Sequence, residues 1–447
     1  MNLGSTFFRR VRRPGAVGAL QGAGLVAVGL AVAGLCTYGF LGLTGRVLGA
    51  ERFASLSALW GFVFILGPGV YTPLQQEVGR ALAARRAAND GGRDVVRKAA
   101  IAGGAVTVVL IVGVGLAGPW LRSTFFGGSW GMVLTLAVTL VGFFCSFLAR
   151  GVVSGLGRFD RFAGLLGGES AMRLVIAALF ALVGVQTAVW FGVAVAVAPF
   201  LAAGAAMFVG RRPRIDDGSP AAWRDLSRAL GWLLASSMLS QILVNAAILV
   251  VRALGSDDSA TAGTFLAALV IARMSLYLFQ AVEAALLPNL ATLIAEQRVD
   301  DYRRAMRQLM SVIGGLVVVC TAGAFVLGPF VVQLLFGPGF VVSNTTMALL
   351  AAASAVYVLA SAQTGALIAI GGHRATAIGW GVACAAFAVV VAVVPGLYLR
   401  VELAYLIGSV VAAASLTWAM QRRALAQTPP DAVLEEVTLL DDVVFDS

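Results

Sequence analysis

GPWLRSTFFG occupies residues 118–127 and GPFVVQLLFG residues 328–337: Gly-Pro, seven positions closing on Phe, then Gly, written twice at a spacing of 210 residues. In so apolar a chain one match carries little, so the neighbouring residues decide whether this is a repeat. RVLGAERFASLSALW from Arg46 matches RALGSDDSATAGTFL from Arg252 in Arg, Leu, Gly and a later Ala at an offset of 206. RGVVSGLGRF from Arg150 matches TGALIAIGGH from Thr364 through Gly151/Gly365 and Gly157/Gly371 at an offset of 214. Three matches in one order, with small insertions between them, describe a duplicated unit.

The chain of 447 residues is 60% hydrophobic and 12% charged, with a mean hydropathy of +0.91. That is too little polar surface to cover a water-soluble globule of this length. About 20 apolar residues cross a bilayer as helix, and the chain supplies twelve such spans, at 17–45, 57–76, 99–118, 131–149, 162–184, 187–208, 229–251, 263–287, 309–328, 344–370, 375–396 and 403–421. Each repeat holds six of them. Six is even, so the second copy enters the membrane from the same side as the first, a parallel repeat about an axis along the membrane normal. The predicted organisation is a basic segment 1–16, a six-helix bundle 17–208, a hydrophilic linker 209–228, a second bundle 229–421 and a tail 422–447. The linker carries Arg211, Pro213, Asp216, Gly218 and Pro220. The tail carries Asp431, Glu435, Glu436, Asp441, Asp442 and Asp446 and reads as disordered.

Loops rich in Lys and Arg stay cytoplasmic. With the N-terminus inside, only Arg46, Arg52, Arg122, Arg252 and Arg400 of the 32 Lys and Arg fall on outward loops, while Arg173 and Arg273 lie within spans. Both termini are therefore expected in the cytoplasm, in a multi-pass protein of the cytoplasmic (inner) membrane. The formal charge of +10 is spread along one membrane face, where it meets anionic headgroups. A nucleic-acid footprint would need a clustered basic face, so nucleic acid is excluded as a partner. The apolar run after RRVRR is too long for a cleaved signal peptide.

Polar residues inside the spans are the candidate site. In GWLLASSMLSQILVNAAILVVR, Ser237, Gln241 and Asn245 recur every four residues and Arg252 follows seven further on, which sets them on one helical face. Such a face looks toward a wet cavity or binds a neighbouring helix. Arg273 falls midway along the eighth span, where an arginine costs about 2.5–3.5 kcal/mol on insertion scales. A cavity, an anionic ligand or a carboxylate would offset that cost, and Glu283, ten residues along the same helix, is too far to meet it. Glu169 and Arg173 have the spacing of a pair on one helix, either structural or coupling. Arg46 and Arg252, equivalent in the repeat, either anchor the interface or edge the outer mouth. Pro68 and Pro73 interrupt the second span and Pro288 closes the eighth, its counterpart; discontinuities at corresponding places in two halves point to a transport site.

Other motifs carry nothing. GVGLAG, with Gly113, Gly115 and Gly118, satisfies GxGxxG but lies inside a span with no strand before it, and no GxxxxGK[ST] occurs. Cys36, Cys145, Cys320 and Cys384 stand alone in apolar runs, and His373 sits in a GGHR loop without partners for a metal. The chain reads as no enzyme, with no metal and no cofactor, although proton or sodium coupling stays open.

The six-plus-six spans, RVLGAERFA after the first span, the GP…FG turn after the third and GLGRFDRFAGLLGGESAMRL between the fourth and fifth together resemble the polysaccharide transporters. These belong to the multidrug/oligosaccharidyl-lipid/polysaccharide (MOP) exporter superfamily and include the O-antigen and teichoic-acid flippases. The resemblance covers nearly the whole chain to about residue 421. It implies an all-α fold of two bundles in a V, opening alternately to either side to move a lipid-linked glycan outward, with glycan polymerase or glycosyltransferases as possible partners.

The charges near the lumen are mostly positive, and guanidinium matches phosphate geometry with paired donors. The predicted function is a flippase for a polyprenyl-diphosphate-linked oligosaccharide, with Arg273 and the polar face of the seventh span meeting the head. A cation-coupled multidrug exporter of the same superfamily is the nearest alternative, but it would want a carboxylate in the first span, and 17–45 holds none. A membrane scaffold for glycan assembly is the third reading. Deleting the acidic tail separates the two kinds: flipping survives in a transporter, whereas a scaffold that recruits through the tail loses its function.

Overall fold

The computed structural model describes residues 14–209, 215–220, 230–255, 259–273, 299–369 and 371–427. Pro288, Glu283, the rest of the eighth span, most of the linker, the first basic residues and the acidic tail from 428 lie outside them. The described elements are helices: α1 (Pro14–Ala87), α2 (Arg93–Leu116), α3 (Gly118–Thr124), α4 (Trp130–Gly155), α5 (Phe159–Leu182), α6 (Ala188–Phe208), α7 (Leu230–Leu254), α8 (Ser259–Ala272), α9 (Val299–Phe336), α10 (Asn344–Ala369), α11 (His373–Val393) and α12 (Leu397–Gln427).

The first two expected spans are joined without a loop. α1 runs helically from one into the other except at Gly49, whose φ of 70° and ψ of 170° only glycine adopts readily. Both ends of α1 reach the turn between α4 and α5: Gly22 packs on the Phe159 ring, and Arg86 Nη1 donates to the Leu156 carbonyl at 2.8 Å. The chain therefore doubles back at Gly49. Pro68 and Pro73 sit inside the helix, and the break expected at them is found at Gly49 instead.

Ten described helices are long and apolar enough to cross a membrane. One of these is α1, which carries two expected spans, and the eighth span is described only as the short apolar helix Ala260–Ala272. Leu35, Val109, Leu116, Leu182, Val319 and Val393 stand exposed on the outside. Water would not tolerate such a continuous apolar surface, and lipid requires it. The chain is a multi-pass membrane protein.

Within the first half α1 packs on α4 and α5, and α6 on α4 and α5; within the second, α12 packs on α10 and α11, α9 on α10, and α7 on α11. The seam between the halves is built by α1, which meets α7, α8 and α9. The helix ends fall into two sets. Residues 87–93, 155–159, 208, 369–373 and 427 lie at what we call the basic end. Gly49, the turns 125–129 and 183–187, and residues 254–259, 337–343 and 394–397 lie at the Gly49 end.

The repeat has a backbone cause. Gly127 and Gly337 have φ of 55° and 108°, and Gly157 and Gly371 have φ of 71° and 74°, so each matched pair ends a helix in the left-handed region. The halves still differ at the Gly-Pro: Pro119 opens the separate helix α3, while Pro329 lies inside the unbroken α9.

Residues 215–220 of the linker dock on the loop between α1 and α2. Arg93 pairs with Asp217 at 2.8 Å, and Arg85 Nη1 donates to the Ser219 carbonyl at 2.6 Å. The hydroxyl and then the backbone N–H of Ser219 hold the Asp90 carboxyl below the usual carboxylate range, with Arg85 adding to this. A lowered pKa makes this contact fully present at neutral pH and lost only as strong acid protonates Asp90.

The seam is tightest where α8 crosses the α1 break: a Cβ on Gly263 would lie 1.9 Å from the Ala50 carbonyl oxygen. Gly263→Ala is expected to lower stability by about 1–3 kcal/mol through overpacking. Gly113→Ala, with open space around it, serves as the control, and thermal unfolding in detergent measures both.

Candidate functional site

The cavity lies on the seam and is walled by α1, α7, α8, α10 and α11. Its volume is about 320 Å³. α1 contributes Thr37, Tyr38, Trp60, Phe64, Pro73 and Gln76; α7 contributes Ser236, Ser237, Ser240, Gln241 and Asn245; Tyr357, Ser361, Thr364 and Trp380 come from α10 and α11. Arg273, at the end of α8, is the one charged residue of the wall, and no carboxylate lines it among the described residues. The wall extends from mid-helix toward the basic end, through Gln76, Leu233, Ile368 and Trp380.

The four-residue spacing on α7 is what puts Ser237, Gln241 and Asn245 together on the wall. Asn245 Nδ2 donates back to the Gln241 carbonyl at 3.0 Å and to Gln241 Oε1 at 3.2 Å. With its amide nitrogen so engaged, Asn245 turns Oδ1 outward, where it accepts from Arg273 Nη1 at 3.2 Å. The Arg273 guanidinium stands 5.7 Å from the centroid of the Tyr405 ring, a cation–π contact. Tyr405 is fixed in turn by its hydroxyl on Ser354 at 3.3 Å, and Tyr357 by its hydroxyl donating to the Ser240 carbonyl at 3.3 Å.

Arg273 Nε and Nη2 are buried and have no hydrogen-bond partner among the described residues. These two donors form one edge of the planar guanidinium fork, the edge that takes a carboxylate or phosphate through two parallel bonds. Leaving charged donors buried and unpaired is costly, so this edge calls for water, for an anion or for a partner beyond the described residues. Ser237 also ties the seam, donating to the Pro68 carbonyl at 3.3 Å.

Glu169 and Arg173 lie elsewhere. Arg173 Nη2 reaches Glu169 Oε1 at 3.0 Å, while Arg150 Nη2 at 2.6 Å and Ser146 Oγ at 2.8 Å both donate to Oε2. Sequence reading ends the fourth span at 149 and so leaves Arg150 just outside it, on the cytoplasmic side; the structure corrects this, since Arg150 lies on α4 with its side chain 12% exposed. The cluster stands behind the cavity wall rather than on it: the Arg173 guanidinium is 5.2 Å from the centroid of Trp60, which faces the cavity.

Arg46 and Arg252 do not line the cavity. Arg46 Nε donates to the Leu335 carbonyl at 2.9 Å, and its Nη2 to that of Leu334; Arg252 Nε donates to the Phe125 carbonyl at 3.3 Å. Both contacts cross the seam at the Gly49 end. Sequence reading missed the aromatic wall of Tyr38, Trp60, Phe64, Tyr357 and Trp380, because aromatics in apolar runs look the same whether they fill a core or face a cavity.

The chain has the all-α fold of the MATE transporters of the MOP superfamily. It overlays an inward-facing multidrug resistance MATE family transporter with a TM-score of 0.66 at 19% identity, over 90% of this chain and 99% of that one. An outward-facing structure of such a transporter gives 0.65 at 18% identity, over 92% and 96%, and a MATE bound to MaD3S gives 0.65 at 17%, over 92% and 97%. In sequence the chain is 26% identical over 399 residues to an uncharacterized protein of Mycobacterium tuberculosis (strain H37Rv), covering 89% of this chain and 90% of the relative. An uncharacterized protein of Mycobacterium bovis is 26% identical over 371 residues, covering 81% and 84%. No protein-family profile matches the chain.

Removing the Glu169 carboxylate would leave Arg150 and Arg173 buried face to face. Glu169→Ala is expected to cost about 3–5 kcal/mol of stability. Asp160→Ala, which breaks the exposed pair with Arg158 (side chains 55% and 39% exposed), should cost less than about 1 kcal/mol. The comparison of melting temperatures in detergent checks both.

Proposed function

We propose that the protein is a transporter that moves a lipid carrying an anionic, diphosphate-linked saccharide head across the membrane, with the cavity open alternately to either side. The observation that carries this reading is the Nε/Nη2 edge of Arg273, which among the described residues is unpaired and is the one charge on a wall without carboxylates. A cationic drug would meet repulsion there and an anion would meet paired donors. The hydroxyls and amides of Ser236, Ser237, Ser240, Gln241 and Ser361 and the rings of Trp60, Tyr357 and Trp380 suit a sugar, which offers hydroxyls at its rim and apolar C–H faces. About 320 Å³ holds a drug-sized group, so the head enters the cavity while the lipid tail stays in the bilayer.

The transporters that share the fold include multidrug exporters. A drug-export reading needs a carboxylate for the cation; among the described residues the cavity wall supplies none, and neither do residues 24–49 of α1. Residues 17–208 and 229–421 would then be the two moving bundles, with the linker between them and both termini on the cytoplasmic face of the inner membrane.

Reconstituted vesicles carrying a fluorescent polyprenyl-diphosphate sugar test the reading by the rate at which the label reaches the opposite leaflet. Arg273→Ala is expected to slow transfer about 10- to 100-fold, the worth of charge-assisted hydrogen bonds, and Arg273→Lys to fall between. Transfer by Arg273→Ala at the native rate would sink the assignment.

A further inference from the structure

The two arginines that head the repeat make the same bond twice. Arg46 and Arg252 correspond at the offset of 206, and Leu335 and Phe125 correspond at the offset of 210 set by the two GP…FG stretches. Arg46, from the first half, donates through Nε to the Leu335 carbonyl of the second at 2.9 Å. Arg252, from the second half, donates through Nε to the Phe125 carbonyl of the first at 3.3 Å. Each half thus grips the other's GP…FG stretch through equivalent atoms, which gives the duplicated sequence a physical reason.

The acceptors suit the donors. Leu334 and Leu335 lie in the last turn of α9, and Phe125 caps the C-terminus of α3. Carbonyls there lack intrahelical partners and sit at the negative pole of the helix dipole, where a guanidinium is favoured. Arg252 is 8% exposed, so this donor has no water to return to without movement of its surroundings. Between the two bonds the seam is dry: Phe53 packs on Phe336 at 5.3 Å and on Phe340 at 6.1 Å between ring centroids, and Gly263 meets the Ala50 carbonyl. The cavity wall runs the other way, toward the basic end.

We infer that Arg46 and Arg252 are a pair of reciprocal latches that hold the Gly49 end shut while the cavity faces the basic end, and that both must release for the cavity to open at the Gly49 end. The inference rests on the alternating access proposed above, but its test uses no substrate. A failure of the substrate reading therefore leaves it standing, and the reverse also holds.

Spin labels test it in nanodiscs, on the full chain with Cys36, Cys145, Cys320 and Cys384 replaced by Ser. One label pair, Glu51→Cys with Val341→Cys, spans the Gly49 end, and a second, Ala87→Cys with Gln421→Cys, spans the basic end. Arg252→Ala is expected to raise the ratio of long to short distances at the Gly49 end about tenfold, the worth of one hydrogen bond to a charge. Arg46→Ala should raise it less, since Arg46 is exposed, and the double variant more than either. In each case the basic-end pair is expected to shorten in step. Arg52→Ala, whose bond to the Gln186 carbonyl at 3.1 Å stays within the first half, should leave both distributions native. Unchanged distances in the double variant would overturn the latch, and so would broadening at the Gly49 end without shortening at the basic end.

Discussion

A guanidinium inside an apolar bundle keeps its charge and its five N–H donors, so it must end on an acceptor or on water. Three groups of arginines meet this demand in different ways, and the differences sort the molecule into parts. Arg150 and Arg173 end on Glu169, a closed cluster within the first half. Arg46 and Arg252 end on backbone carbonyls of the opposite half. Arg273 ends partly on Asn245 and, among the described residues, keeps one edge open beside the cavity. Framework, seam and site are thus three answers to a single solvation problem.

The same constraint explains why α1 is the hub of the seam. Its two limbs fold back at Gly49 and bring glycines to the second half: Gly45 against the Phe336 ring, Gly61 against Leu249, Gly69 against Met238. Close backbone approach lets short polar groups such as Ser237 reach a carbonyl across the boundary, and in lipid such packing replaces the hydrophobic drive that water would supply. The prolines of α1 belong to this surface, since Ser237 bonds the Pro68 carbonyl and Pro73 lines the cavity.

Much of the fold was legible because membrane helices announce themselves by length and apolarity, and because glycines with left-handed backbone cannot drift freely. Gly127/Gly337 and Gly157/Gly371 are such pairs. Gly184 and Gly396, both with φ of 79°, form another at an offset of 212 that went unread for want of matching neighbours. The polar face of α7 was legible from its period of four. Besides the aromatic wall of the cavity, two features were not. The continuity of α1 through Gly49 was hidden because RVLGAERFA, with its three charges and a glycine, has the composition of a turn. Arg150 was misplaced because a basic residue at the end of an apolar run reads as a loop flank, and only the fold brings it to Glu169, nineteen residues away on the next helix. The equivalent position in the second half, Thr364, accepts instead from Trp380 Nε1 at 2.9 Å on the cavity wall, so the repeat keeps the place and changes the chemistry.

That divergence gives the halves different duties. Gln241, Asn245, Ser240, Tyr357 and Tyr405 all belong to the second half: Asn245, held by Gln241, and the Tyr405 ring meet the Arg273 guanidinium, and Tyr357 is held on the Ser240 carbonyl. Tyr38, Trp60 and Phe64, which face them across the cavity, belong to the first. A rigid rotation of one half against the other would leave the guanidinium and its supports undisturbed while it moved the aromatic wall and parted the bonds of Arg46 and Arg252. A packed bundle deforms reluctantly and its interfaces are bistable, so motion concentrates where few contacts must break. An anion held by Arg273 would travel with its site through such a motion, exposed first to one side and then to the other.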